Sequence, residues 1–92
     1  MEGIIPSKAP VGSILNDVEI TAKNLLDGPS LGAKLEKTGE IDIVGTDVKF
    51  VSGQTMTADF DLTGAAVGFR DVVVTNGDGC EGTGPGLFEI YN

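Results

Sequence analysis

The chain has 92 residues, of which 40% are hydrophobic, with 14 Gly, 4 Pro, a single Cys and neither His nor Trp. Fourteen acidic against six basic residues give a net charge of −8, which repels phosphate backbones and argues against a nucleic-acid partner. With no His and one Cys, neither a sulfur-and-imidazole zinc site nor a Ser-His-Asp or Cys-His pair can be assembled.

The length suits one domain, residues 1–92, which on folding hides roughly 60–65% of the surface its unfolded chain exposes. No apolar run approaches the roughly 18–20 residues of a membrane helix, and the N-terminus lacks a basic segment followed by an apolar one. The sequence therefore predicts no membrane insertion by this chain and no signal peptide within it. Many glycines between short apolar stretches predict an all-β fold of short strands and turns.

Pro10 to Ser13 forms the first turn region, and "DVEIT" follows with Val18, Ile20 and Ala22 pointing inward and Asp17, Glu19 and Thr21 outward. "AKLEK", with Ala33 and Leu35, is bracketed by Gly32 and Gly39 too closely for a stable helix and reads as a strand. "TDVKFVS" places Val48 and Phe50 on one face. After the Ser52-Gly53 turn, "TMTADFDL" alternates Met56, Ala58, Phe60 and Leu62 with Thr55, Thr57, Asp59 and Asp61, so the two segments predict a hairpin. "DVVVTN" and "GLFEIY" form the last hairpin. About seven strands at spacings of roughly 8–12 residues predict an antiparallel β-sandwich. Its expected core is Ile14, Val18, Ile20, Leu35, Val48, Phe50, Met56, Phe60, Leu62, Val72, Val74, Phe88 and Ile90.

"TNGDGCEG" raises the question of a calcium loop. An EF-hand loop with Asn76 and Asp78 at its third and fifth positions would put Val74 at the first and Pro85 at the twelfth, and neither side chain is a ligand. Gly77 and Gly79 fit a hairpin turn instead. An irregular calcium site would draw on Asn76, Asp78 and Glu81, the metal candidates; the bland reading is a solvated turn. Asp59 and Asp61, two residues apart on a strand, stand about 7 Å apart, within the range of glycosidase carboxylates. Facing outward, they are held ionised by solvent, and no catalytic residue is assigned. Nothing in the composition calls for a cofactor. Cys80 reads as an incidental thiol, with intermolecular crosslinking as its alternative. Phe69 and Tyr91 are the binding candidates, the aromatics available for exposure in a chain with little else to stack on a sugar. Open sheet edges offer another route to a partner, with Lys34, Lys37 and Lys49 as candidate edge guards.

"IIPSKAPVGSILNDVEITAKNL", "GAKLEKTGEIDIVGTDVKFVSGQTMTADFDLTGAAVGFRDVVVTN" and "DGCEGTGPGLFEI" together resemble the IPT/TIG family of immunoglobulin-like domains, especially copies in bacterial and archaeal surface proteins. The likeness spans nearly the whole chain and is closest from Asp61 to Asn76. Gly77 stands where such domains usually have Pro, Ala22 where Gly is common and Cys80 where a polar residue is usual; Gly77 predicts a looser 76–79 turn than Pro would give. The resemblance implies an early-set immunoglobulin-like sandwich, extracellular or at the cell surface, acting as a non-catalytic structural, spacer or adhesion module. Its expected partners are proteins, through neighbouring modules or self-association. The alternative is a ligand-binding module that recognises a protein or carbohydrate through loops at one end.

Overall fold

A computed structural model describes residues 3–92. Those residues contain nine strands and no helix: β1 Gly3–Ile5, β2 Lys8–Pro10, β3 Ile14–Thr21, β4 Gly32–Glu36, β5 Ile43–Val44, β6 Thr46–Ser52, β7 Thr55–Asp61, β8 Gly68–Thr75 and β9 Glu81–Tyr91. They form a sandwich-like all-β fold of two sheets, one ordered β1-β3-β7-β6 and the other β2-β9-β8-β4-β5. No helix is long and apolar enough to cross a membrane among the described residues.

Nine strands exceed the seven or so expected, and three match none of the six segments read from the sequence; two of these come from the N-terminal segment, whose β1 pairs with β3 in one sheet while β2 pairs with β9 in the other. The third is the two-residue β5, too short for any periodicity to announce it. The β2–β9 pair is parallel, so the five-stranded sheet is mixed, where an antiparallel sandwich was expected. Both predicted hairpins form, β6–β7 and β8–β9.

The core follows the alternation of β7, whose Met56, Ala58 and Phe60 are buried while Thr55, Thr57 and Asp59 are half-exposed. Leu62, Val18, Ile20, Leu35, Val72, Val74, Phe88 and Ile90 join them from both sheets. Burying each large side chain contributes about 1.5–3 kcal/mol. Ile4, Ala9, Ala22, Leu25 and Ala33 complete the cluster.

Two expected core residues are corrected. Ile14 is 67% exposed, because the register of β3 against β7 shifts between Leu15 and Val18. The extra residue of this bulge, where Asp17 has φ +54°, turns Leu15 opposite Phe60 and leaves Ile14 opposite the outward Asp61. Phe50 does face the core side, opposite Met56, but β6 is the edge of its sheet and leaves the ring 37% exposed. Val48 is half-buried against the core.

Strand pairing gives the molecule two poles along its longest extent of 34 Å. Gly3 pairs with Thr21, placing the first described strand beside loops 22–31, 52–54 and 76–80. Tyr91 pairs with Pro10, placing the end of the last strand at the opposite pole with turns 10–13, 37–42 and 62–67.

Candidate functional site

At the first pole, loops 24–27 and 76–80 are joined by one side chain and one backbone hydrogen bond. Asn76 Oδ1 accepts from the Leu26 amide at 2.6 Å and the Gly77 amide at 2.8 Å, while Nδ2 donates to the Asn24 carbonyl at 2.8 Å. The Gly77 amide also donates to the Leu26 carbonyl at 3.0 Å. The turn closes through Gly79 N donating to Asn76 O and Asn76 N donating to Cys80 O. Gly77 is therefore a point of close backbone approach rather than a looser stand-in for Pro. A Cβ there would lie 2.6 Å from the carbonyl carbon of Asp27 and 2.7 Å from its oxygen, and Pro would lack the N–H that bonds Leu26.

The calcium candidates share this tip, but each of the three side chains has an oxygen bonded to a local partner. The carboxamide of Asn76 is turned to the backbone, Asp78 Oδ1 accepts from the Cys80 amide at 3.1 Å, and Glu81 Oε2 accepts from the Thr75 hydroxyl at 3.2 Å. No group of three or more His, Cys, Asp or Glu side chains is placed to hold an ion among the described residues. Cys80 lies exposed on the same turn.

Asp59 and Asp61 also act on the backbone. Asp59 Oδ1 accepts the Asp17 amide at 2.8 Å, satisfying the donor that the β3 bulge leaves unpaired. Asp61 Oδ1 accepts the Thr63 amide at 2.9 Å, and bonds from the Thr63 hydroxyl and amide hold its carboxyl below its ordinary value. Glycosidic general acids need the opposite shift.

Phe69 is 63% and Tyr91 42% exposed. Phe69 lies directly opposite Glu89 on β9, and Tyr91 follows Glu89 by two residues. The two aromatics therefore share the outer face of the five-stranded sheet as diagonal neighbours, about 7–8 Å apart by strand geometry. They sit near the second pole, on a sheet face rather than on end loops, with Lys8 opposite Glu89 on β2.

Sheet edges are poorly suited to adding a partner strand. β1, β2 and β5 have two or three residues each. The longer edge, β6, carries register shifts and Asp47 at φ +51°, features that break a flat ladder. Lys34 is not an edge guard, because β4 lies between β8 and β5; it bonds Glu36 at 3.0 Å, and that carboxylate raises its pKa. Lys37 lies just past the end of β4, with its amine beside Gly68. Lys49, on the β6 edge, is 3.9 Å from Asp47.

Sequence reasoning missed Arg70, which is 2% exposed. Its Nη1 donates to the Leu35 carbonyl at 3.4 Å and the Ile41 carbonyl at 3.2 Å, while its buried Nε has no partner. It lines a cleft of about 430 Å³ at the second pole with Glu40, Ile41, Asp42, Asp61 and Ala65. The signal was present: Arg70 has the same parity as Val72 and Val74, and all three are buried. Comparison of the chain with protein-family models, with curated proteins and with solved structures finds no match.

Proposed function

We propose that this chain is an immunoglobulin-like module of the IPT/TIG type that acts as a non-catalytic spacer or adhesion unit in an extracellular or cell-surface assembly. An immunoglobulin-type sandwich carries strands A, B, E and D in one sheet and C, F and G in the other. The order β1-β3-β7-β6 against β5-β4-β8-β9 supports that reading, with β5 in the place of an added C′ strand.

The observation that carries the functional reading is that β1 begins, at Gly3, and β9 ends, at Tyr91, at opposite poles of a body 34 Å long. A chain that enters at one pole and leaves at the other adds its full length to an array of modules. Two copies joined head to tail, studied by small-angle X-ray scattering, should show a maximum dimension roughly double that of one copy. A two-copy chain no longer than a single copy would overturn the spacer reading.

The second reading is a binding module for a protein or a carbohydrate. It is favoured by Phe69 and Tyr91, which stand exposed side by side on one sheet face. Glycan-array and pull-down signals lost on Phe69→Ala and Tyr91→Ala would support it; signals unchanged by both substitutions would dismiss this face.

A further inference from the structure

We propose that Asn76-Gly77 is a latched modification site, at which spontaneous loss of the Asn76 amide is suppressed while the 24–27 and 76–80 loops are joined and proceeds once they part. Asn followed by Gly is the pair best disposed to this reaction, because no side chain on the second residue hinders its amide nitrogen. The Gly77 nitrogen loses its proton to solvent base and attacks Cγ of Asn76. The Gly77 N–Asn76 Cγ bond forms, Nδ2 takes a proton from water, and the Cγ–Nδ2 bond breaks so that ammonia leaves. Water then opens the five-membered imide at either carbonyl, giving an aspartate or an isoaspartyl linkage at position 76. Water is the only co-reactant.

The native geometry opposes the first step at every atom it needs. The Gly77 N–H is bound to Leu26 O and to Asn76 Oδ1, which disfavours its deprotonation. The carboxamide is held at both ends, by the Leu26 amide and the Asn24 carbonyl, so it cannot rotate to present Cγ to the nitrogen. Reaction requires the Leu26–Asn76, Asn76–Asn24 and Gly77–Leu26 bonds to open together, an event of local rather than global unfolding.

The product cannot restore the latch. Nδ2, the donor to Asn24 O, is replaced by a carboxylate oxygen, and two acceptors then face each other in a protein already at −8. An isoaspartyl linkage also lengthens the backbone by one methylene beside the Thr75–Glu81 register pair. A transient opening of this pole thereby becomes a permanent one, and the loop bearing the buried Leu25 loses its attachment to the β8–β9 turn.

The test is peptide mapping by mass spectrometry on the full chain, incubated at one mildly alkaline pH and one temperature, native and in denaturing urea. Position 76 should gain the mass of –OH for –NH2 on the order of a hundredfold more slowly in the native state, the ratio expected when three net hydrogen bonds must open together. Equal rates would overturn the latch. Hydrogen exchange on Asn76→Asp should show lost protection at the Leu26 and Gly77 amides with Val72 and Phe60 unchanged; retained protection would overturn the unlatching. If that variant does not fold, the modified fraction purified from aged wild-type protein carries the same measurement.

Discussion

Gly77→Ala tests the junction between the two loops without substituting a core side chain. The new methyl carbon would lie within 2.6–2.7 Å of Asp27 backbone atoms, where no flexible side chain can swing away, so the loops must separate. Separation breaks the Gly77–Leu26 bond together with the two bonds from Asn76 to Leu26 and Asn24. At a net value of about 1 kcal/mol each, the loss should be about 2–3 kcal/mol, a large share of the roughly 5–14 kcal/mol expected for a domain of this size. Urea denaturation measures it, with Gly82→Ala as the control: nothing lies within 4 Å of a Cβ at Gly82, and its effect should stay within about ±0.5 kcal/mol. Equal stability of the two variants would refute the close-approach reasoning.

Arg70→Met should leave the domain as stable or raise its stability by about 1–3 kcal/mol in the same denaturation assay, since an apolar side chain removes a desolvated charge that forms no ion pair among the described residues; a loss above about 2 kcal/mol would mean that its bonds to Leu35 and Ile41 outweigh that cost. Asp59→Ala should lose about 0.5–1.5 kcal/mol by orphaning the Asp17 amide, whereas Asp59→Asn keeps an acceptor and should stay near wild type. The double change Phe69→Ser and Tyr91→Ser should leave the melting transition nearly unmoved, because both side chains are exposed. On acidification, the Asp61 carboxyl should titrate below the ordinary aspartate range because it is bonded to Thr63; its contribution is full above the unfolded value and is lost as pH falls through the lower folded value, a sequence followed by the NMR shift of the Thr63 amide.

How far the sequence discloses the molecule depends on the range of the interactions involved. β7 was legible because each of its residues obeys the same two-residue rule, and the β6–β7 and β8–β9 hairpins followed from turns adjacent to their strands. The β3 bulge was not, because a single inserted residue at Asn16-Asp17 reverses the facing of everything before it, and its stabilising partner, Asp59, lies 42 positions away. For Asn76 the sequence showed a turn, but its bonds to Asn24 and Leu26 cross about fifty residues and depend on how the loops meet. Arg70 broke the equation of charge with exposure, although its parity placed it inside. Phe69 and Tyr91 were chosen as aromatics without a core position, and only the β8–β9 register brings them to one face.

The parallel pairing of β2 with β9 sets how the module meets tension. A pull applied through β1 draws β2 toward the first pole, while a pull on Tyr91 draws β9 toward the second, so the two strands are forced to slide along each other. The register pairs Lys8–Glu89, Ala9–Ile90 and Pro10–Tyr91, with the Glu89–Ser7 and Val11–Tyr91 backbone bonds beside them, are then strained simultaneously. A hairpin such as β8–β9, pulled open from its two ends, would instead yield one bond at a time. The short N-terminal strand, three residues long and silent in the periodicity, is the element that turns a stretched chain into a sheared sheet.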